Sequence, residues 1–472
     1  MTRLKTILGG VALAALLAGT GLAFAETDYQ KKFQGTELNV LAPSMPQFGA
    51  IWKLVPQFEK EYGIKVHVDE TPFDQTREKT LVDMQQGTGR YDVFAVDVMW
   101  LAEFAAAGFL EPVKKYVDDP KLTEADFELN DFLPRILSGT GVFNDTLYNI
   151  PMGAGPVGTT FRKDLAAAAG VTIPAKFDAK FNTDFMRDMI KKMHKPENGV
   201  IGFANVPARW FWGVTYLPYL YAFQKPDTVG NEYIGPDWKI TINNQHTIDS
   251  IDYYVSLKQY MPADGASWGI GEATSAYQSG KAAGVWNYQD FIAGFFEDPK
   301  MKDIAGKSVH VHTPAGPDGV QDPWFGSWGL SVSVASKQKE AAWTFIQWMT
   351  SKQQQLAALK YGAGPTRHST FKSEELAKVA PWWPSSYQFM LKQTNPDERV
   401  RIPEWAEISD IMGLQGNRVW IGEISSKEAA ANMEKDMTAA MKKGGYYTAG
   451  AKLPKQAWRD LSYYDRKPSE WK

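Results

Sequence analysis

A strand–helix alternation near the start of the chain constrains its fold most strongly. Short apolar strands there are separated by stretches in which apolar residues recur every three or four positions, as on one face of a helix. Gly63 ends the first helical stretch and Gly87 ends the second. Such an alternation predicts an α/β fold with a mainly parallel sheet flanked by helices. The predicted strands are residues 37–41, 64–68 and 91–96, and the predicted helices are residues 51–62 and 77–86.

Three segments that follow these strands are predicted to share one rim of the sheet. Sheets of this kind bind their ligands outside the carboxyl ends of the strands, where the loops meet. We therefore expect ligand contacts from residues 43–47, 71–75 and 97–100.

Later segments predict a second lobe. Residues 147–151 have the composition of a strand that leaves the first lobe, and the alternating residues 308–313 are a second candidate crossing strand. Residues 329–334 predict a further strand, and residues 338–359 predict one long helix.

The first 25 residues have the features of a secretory signal. Arg3 and Lys5 precede an apolar run over residues 7–18, and Ala23 and Ala25 form a small-x-small cleavage site. Removing 25 of the 472 residues leaves 447, which is more than one hydrophobic core usually spans. We therefore expect a periplasmic, soluble protein of two lobes.

Charge and composition exclude several function classes. The signal holds two of the 51 basic residues and none of the 54 acidic ones, which leaves 49 against 54 and a net charge of −5. This balance indicates no nucleic-acid partner. The chain has no cysteine, so disulfides and thiolate metal sites are excluded. Its 17 Trp and 20 Tyr favour a site that stacks on sugar rings, although an aromatic core would use the same residues.

Residues 153–158 match the dinucleotide-binding pattern G-x-G-x-x-G, but their context is wrong for it. The pattern needs a helix after the glycines, whereas Pro156 interrupts it and residues 159–161 predict a strand. We interpret the match as a turn.

Two further patterns also favour a non-catalytic interpretation. Residues 325–329 lack the first glycine of a hydrolase elbow and precede a strand instead of following one, which argues against Ser327 as a nucleophile. The backbone amides of this predicted turn remain candidate donors to a ligand. His310 and His312 have metal-ligand spacing but no acidic neighbour, which favours a structural role.

Three aromatic clusters are candidate ligand contacts. They are residues 210–212 with Tyr216, residues 286–288, and residues 382–383, each beside Pro, Gly, Asn or Arg in a predicted loop. A hydroxyl-rich ligand needs this mixture of apolar faces and hydrogen-bonding groups. The alternative is an aromatic plug under a loop, which fits residues 382–383 best. Paired carboxylates for glycoside hydrolysis are not excluded by sequence.

Nearly the whole chain after the signal resembles family 1 extracellular solute-binding proteins of ABC importers, the maltose-binding-protein-like group. The resemblance lies in several separate stretches that occur in the family's order. They are residues 58–66, 91–97, 101–112, 148–151, 161–165 with Gly170, 279–286, 326–330 and 336–345.

The resemblance implies a two-lobed periplasmic-binding-protein fold of class II type. Each lobe would be a mainly parallel sheet flanked by helices, and crossing hinge strands would join them. The implied first lobe comprises residues 26–151 and 312–352, and the second comprises residues 152–311 and 353–472, after a signal at residues 1–25.

The resemblance also implies a function. The chain would be the periplasmic binding component of an ABC importer, which captures a carbohydrate or polyol by hinge closure and delivers it to the membrane permease. It would act as a monomer, without cofactor or metal and without chemistry on its ligand. A secreted carbohydrate-active enzyme is the alternative and would turn its ligand over, whereas a structural or adhesive protein would bind no small molecule saturably.

Positions that match the family predict the ligand contacts. Ring faces would come from Trp100, Trp286 and Trp328, and hydroxyls would bind Asp97 and Asn287. Arg367 and Gln47 would add polar contacts, and less similar loops add Asp74, Trp210 and Trp212.

Ligand identity stays open at this point. Residues 402–405, followed by Ile408 and Met412, resemble the polyol-binding branch of the family. Residues 326–327 read Gly-Ser where two glycines are common, which alters the contact expected there. A disaccharide, an oligosaccharide, a polyol or a sugar phosphate would all suit the predicted contacts.

Overall fold

A computed structural model describes residues 32–176, 178–225, 232–287, 296–321, 325–359, 361, 363–456 and 460–472. The predicted signal lies outside these residues. Nowhere in the described part of the chain does a helix have the length and apolar content needed to cross a membrane.

Ten strands in the described ranges form two main sheets and one short hairpin. In chain order they are β1 (Glu37–Pro43), β2 (Lys65–Thr71), β3 (Val93–Asp97), β4 (Val142–Phe143), β5 (Thr146–Leu147), β6 (Asn149–Pro156), β7 (Gly158–Arg162), β8 (Gly284–Asn287), β9 (Ser308–His312) and β10 (Phe325–Val332).

The described helices cover both sheets and pack one large apolar core against them. In chain order they are α1 (Pro46–Ile51), α2 (Val55–Tyr62), α3 (Phe73–Gln86), α4 (Leu101–Ala106), α5 (Lys114–Val117), α6 (Pro134–Gly141), α7 (Lys163–Ala168), α8 (Thr183–Met193), α9 (Arg209–Thr215), α10 (Leu217–Ala222), α11 (Gln245–Ser256), α12 (Ile270–Gln278), α13 (Lys339–Met349), α14 (Lys352–Leu359), α15 (His368–Phe371), α16 (Glu374–Val379), α17 (Tyr387–Lys392), α18 (Trp405–Trp420) and α19 (Ser426–Lys443).

The first sheet has the strand order β2-β1-β3-β10-β6. β1 pairs in parallel with β2 and β3, which confirms the predicted strand–helix alternation. β10 runs antiparallel to its neighbours β3 and β6. The carboxyl ends of β1 and β3 therefore lie beside the start of β10, and this shared edge positions the candidate site.

The second sheet corrects one detail of the prediction. Its order is β8-β7-β9, and β7 pairs antiparallel with both neighbours, so this sheet is not mainly parallel. The reason is that β7 enters this sheet directly from β6 of the first sheet, and it lies between two strands, β8 and β9, that run in the opposite direction. Among the described residues of this region, parallel pairing is limited to isolated bridges such as Ala204 with Val285.

Four described segments connect the region of the first sheet with that of the second, and one of them is residues 444–455, which lead from α19 to Asn144 and Asp145. β6 passes into β7 with only Val157 between them, and β9 leads back towards β10. The third connection, which we call the crossing segment, is residues 393–404. It leaves α17, which packs on α6, and enters α18, which packs on α9. The lobe boundaries predicted from the sequence stay a prediction.

Several predicted elements differ from those observed. α3 begins at Phe73, so much of the predicted rim loop at residues 71–75 is helical. The predicted long helix at residues 338–359 is two helices, since the Ser351 hydroxyl accepts the amide N–H of Gln354 at 3.3 Å and caps a new start. The aromatic residues 210–212 lie in helix α9 and not in a loop.

Two glycine-containing patterns turn out to be strand. Residues 153–158 run from β6 into β7, so their interpretation as a turn is wrong, while the prediction that no nucleotide-binding helix follows them is confirmed. The turn predicted at residues 325–329 is wrong because β10 includes them: all five pair with β6, and Trp328 and Gly329 also pair with β3. Ser327 faces Ala154 in this pairing, and its carbonyl accepts the amide N–H of Val98, so these backbone groups serve the sheet and not a ligand.

Candidate functional site

Aromatic rings from both halves of the molecule meet at the carboxyl edge of the first sheet. Trp328 lies directly opposite Asp97 in the pairing of β10 with β3. Its ring centroid is 5.2 Å from that of Trp100 in an edge-to-face contact, and 5.0 Å from that of Phe48 on α1. Trp328 and Trp100 are each 5% exposed.

Phe73 connects this group to the helices beside the second sheet. Its ring centroid lies 5.3 Å from that of Trp100 and 5.9 Å from those of Trp210 and Phe211 on α9. Phe211 in turn contacts Trp286 of β8 at 5.9 Å, edge to face. The structure therefore brings four of the predicted aromatic contacts into one chain of rings, which we call the aromatic cluster: Phe48, Phe73, Trp100, Trp210, Phe211, Trp286 and Trp328.

An open groove of about 350 Å³ borders the aromatic cluster. Trp210, which is 48% exposed, supplies one wall, and α3 and α18 supply the others. A bidentate ion pair between Arg209 and Asp410, with distances of 3.0 and 2.8 Å, ties α9 to α18 beside it. The groove is lined by Phe73, Arg77, Glu78, Met99, Trp100, Trp210, Phe211, Val214, Trp405, Ala406, Ser409 and Asp410.

Asp97 ends β3 at the base of this arrangement. It is 4% exposed, and its Oδ1 accepts the amide N–H of Met99 at 2.9 Å. Burial raises the pKa of this carboxyl to about 6, while the positive charge of Arg399 and the Met99 hydrogen bond act in the opposite direction. Asp97 is thus a buried acceptor with a second oxygen that accepts no hydrogen bond from the described residues.

Arg399, on the crossing segment, is a residue that the sequence analysis missed. It is 7% exposed, and its Nη2 donates to the carbonyl of Phe325 at 2.8 Å. Its Nε lies 3.4 Å from the carboxyl of Glu398. Residues 397–401 contain four charged side chains without apolar periodicity, a pattern typical of a solvated loop, so the sequence carries no signal for their burial.

Buried polar groups of the second sheet also lie near the cluster. Asn287 is 1% exposed and donates from Nδ2 to the Thr160 hydroxyl at 2.9 Å. Its Oδ1, the hydroxyl of Thr159 and Nδ2 of Asn205 have no hydrogen-bond partner within the described residues. Thr159 lies directly opposite Trp286 on β7 and β8. Unpaired buried groups are costly unless a ligand or water satisfies them.

The structure places Arg367 apart from the aromatic cluster. It is fully buried, donates to the carbonyls of Thr350 and Glu128 at 2.8 and 3.1 Å, and lies 3.5 Å from Asp131. Its guanidinium also stacks on Phe132 at 3.8 Å. These contacts assign it to packing between residues 128–132 and the end of α13.

Trp212 also lies elsewhere, in the core of the second half. Its ring is fully buried and packs edge to face on Tyr254 at 4.7 Å and on Trp420 at 5.9 Å. Gln47 on α1 and Asp74 on α3 have backbones at the rim, but their side chains lie outside the described part of the structure.

The two strand histidines lie on one face of β9, as predicted. Burial lowers the pKa of both His310 and His312 to about 3, so both rings are neutral at physiological pH. Within the described ranges, no three His, Asp or Glu side chains are grouped as metal ligands would be.

Comparison with known proteins identifies similar sequences. The family model described as bacterial extracellular solute-binding protein matches residues 42–356. The mannitol-binding protein of Pseudomonas aeruginosa is 26% identical over 389 residues, which cover 78% of this chain and 85% of that protein. The erythritol/L-threitol-binding protein of Mycolicibacterium smegmatis is 23% identical over 355 residues, which cover 72% of each chain.

Solved structures confirm the predicted two-lobed fold. An ABC transporter solute-binding protein from Agrobacterium radiobacter in complex with ribitol superposes with a TM-score of 0.78 and 24% identity, over 88% of this chain and 100% of that one. A second, from Agrobacterium vitis with bound D-mannitol, gives a TM-score of 0.77 at 24% identity and the same coverage. Maltose-bound MalE3 of T. maritima gives 0.75 at 24% identity, over 86% of this chain and 99% of that one.

Proposed function

Because this chain belongs to the family of bacterial extracellular solute-binding proteins, we propose that it is the periplasmic component of an ABC importer that captures a carbohydrate or polyol. It binds this ligand between its lobes as a monomer and delivers it, unaltered, to the permease subunits. The observation that carries the proposal is the aromatic cluster, in which rings from both lobes meet beside the buried carboxyl of Asp97. The relatives named for mannitol and for erythritol and L-threitol support the ligand class.

In the proposed site, the ligand contacts two kinds of protein surface, apolar ring faces and hydrogen-bonding groups. Trp100, Trp286 and Trp328 present apolar ring surface to its C–H groups and exclude water. Asp97 accepts hydrogen bonds from its hydroxyls, and Asn287 accepts another through its Oδ1, which has no partner among the described residues. A hydrogen bond to a charged group contributes about 1.5–3 kcal/mol, so the polar contacts fix orientation and much of the affinity.

Closure couples binding to transport. Residues of this proposed site come from both lobes, so the ligand makes all of its contacts only when the lobes are closed. Its higher affinity for the closed form shifts the population towards that form. The importer can then recognise an occupied receptor by its shape.

The test is a calorimetric titration of the protein, produced from residue 26 onward, with D-mannitol, ribitol, erythritol and maltose. Any ligand that co-purifies is first removed by unfolding and refolding. We expect saturable binding of one molecule of at least one of these compounds. A melting temperature measured at one hundred times the dissociation constant should rise by roughly three degrees, which corresponds to about 2.7 kcal/mol for a chain of this length. No heat and no shift with any sugar or polyol would refute the proposed ligand class.

Turnover must be tested separately, because burial raises the pKa of Asp97 to about 6 and also raises that of Glu398, and a raised pKa would suit a catalytic acid. The bound compound is incubated with the protein and examined by mass spectrometry. A receptor returns it unchanged, whereas products would favour the enzyme alternative.

A further inference from the structure

The crossing segment carries Arg399 to the edge of the first sheet where the two main crossing strands meet. Arg399 bonds the carbonyl of Phe325, the first residue of β10. Phe325 pairs with Pro156, the last residue of β6. The guanidinium is therefore held at the place where the chain leaves the first sheet and returns to it, which is the base of the cleft between the lobes.

Asp97 and Arg399 are buried, opposite charges at this base, because Arg399 bonds Phe325, three residues before Trp328, and Trp328 lies opposite Asp97. The positive charge of Arg399 acts on the carboxyl of Asp97, and both side chains are less than one tenth exposed. Other carboxyls beside Arg399 are Glu398, at 3.4 Å, and Glu232, which acts on Glu398. Burial raises the pKa of Glu398, the charge of Arg399 lowers it, and Glu232 raises it further. Arg399 therefore acts on the carboxyls of both Glu398 and Asp97.

We propose that Arg399 is a ligand-binding residue that donates to one hydroxyl oxygen of the ligand while Asp97 accepts from the neighbouring hydroxyl. This inference rests on the proposed function and adds a positively charged side chain to its binding site. A vicinal diol presents one oxygen as acceptor and the next hydroxyl as donor, which matches a guanidinium beside a carboxylate. The two protein charges cancel, so the pair selects neutral polyhydroxylated compounds.

Arg401 provides a matched control on the same segment. It is 7% exposed like Arg399, and its Nη2 also donates to a backbone carbonyl, that of Val142. Its guanidinium, however, lies 5.5 Å from the centroid of the Tyr464 ring, beside the C-terminal segment of the chain. Substituting either arginine removes a buried guanidinium from the crossing segment, but only Arg399 belongs to the proposed pair.

The experiment compares Arg399→Met with Arg401→Met by calorimetry against D-mannitol and ribitol. We expect Arg399→Met to weaken binding by about 10- to 100-fold, the loss of a hydrogen bond from a charged group, and Arg401→Met to change affinity by less than about threefold. Circular dichroism in the near ultraviolet checks that each variant is folded. If Arg399→Met does not fold, Arg399→Lys is used instead, since it keeps the positive charge but loses the planar guanidinium group. This variant should bind the polyol about tenfold more weakly than the wild type.

The pH dependence of binding separates direct participation from a general loss of packing. Without the charge of Arg399, the pKa of Asp97 should rise, so the pH below which affinity falls should move upward in Arg399→Met and stay in place in Arg401→Met. Equal affinities for the wild type and Arg399→Met, or an unmoved pH midpoint, would overturn the inference and leave the proposed function intact. A wild-type protein that binds no sugar or polyol would overturn both.

Discussion

Replacing Asp97 with Asn should stabilise the ligand-free protein at neutral pH. Burial raises the pKa of Asp97 from an ordinary value of 3.8 to about 6, against the attraction of Arg399. At about 1.4 kcal/mol for each pH unit, ionising this group in the folded protein costs about 3 kcal/mol. The folded state binds the proton more tightly than the unfolded state, so its contribution to stability is full below about pH 4 and is lost as pH rises through 6. Asn carries no charge and avoids this loss.

The assay is equilibrium unfolding in guanidinium chloride without ligand, at pH 4 and at pH 7.5. At pH 4 the wild type and Asp97→Asn should have similar free energies of unfolding, because the side chain is neutral in both. At pH 7.5 the variant should be more stable by about 2–3 kcal/mol. A difference that is independent of pH, or a variant that is less stable at pH 7.5, would refute the reasoning.

A control with the opposite sign is available at Asp69. Hydrogen bonds from Lys79 and Tyr91 lower its pKa, so Asp69→Asn should destabilise the protein at pH 7.5.

The Asp97 substitution should also change the affinity for the ligand. Asp97→Asn should bind sugar or polyol about 10- to 100-fold more weakly in calorimetry, since a neutral amide replaces a charged acceptor. Stability and affinity therefore move in opposite directions.

Two further substitutions test other parts of the structure. Trp286→Ala should weaken binding more than tenfold and lower the free energy of unfolding by about 3–5 kcal/mol, because the ring is 1% exposed; unchanged affinity in calorimetry would remove this residue from the site. Asp145→Asn should lower stability by about 1 kcal/mol at pH 7, a value discounted for solvent screening. The reason is that hydrogen bonds from Lys455 and Arg466 outweigh burial and lower the Asp145 pKa to about 2. Denaturation at pH 7 and at pH 2 checks this, since the loss should shrink as pH falls through 2.

The sequence predicted the alternating first half of the fold because its signals there are local. The apolar alternation of β2 and the helical spacing of α2, with Gly63 between them, can be found without knowledge of distant contacts. Prediction from the sequence failed where a single polar side chain decides where a helix begins. The side chain of Ser351 divides one predicted helix into α13 and α14, although the apolar periodicity continues through it.

The candidate site was predictable where sheet register places its residues. Asp97 and Trp328 belong to paired strands, and Trp100 follows Asp97 closely, so a correct strand assignment brings all three together. The position of an arginine far along the chain depends instead on how helices pack. Arg367 joined the packing around residues 128–132, while Arg399 reached the start of β10 through a segment whose charges predict exposure.

A crystal structure of the protein with its tightest-binding sugar or polyol tests the central claim most directly. The account predicts one ligand molecule between the lobes, with Asp97 within hydrogen-bond distance of a hydroxyl. The ring of Trp100 or Trp328 should contact it from the first lobe, and Trp286 or Asn287 from the second. A ligand that touches one lobe alone, or that binds away from the aromatic cluster, would contradict it.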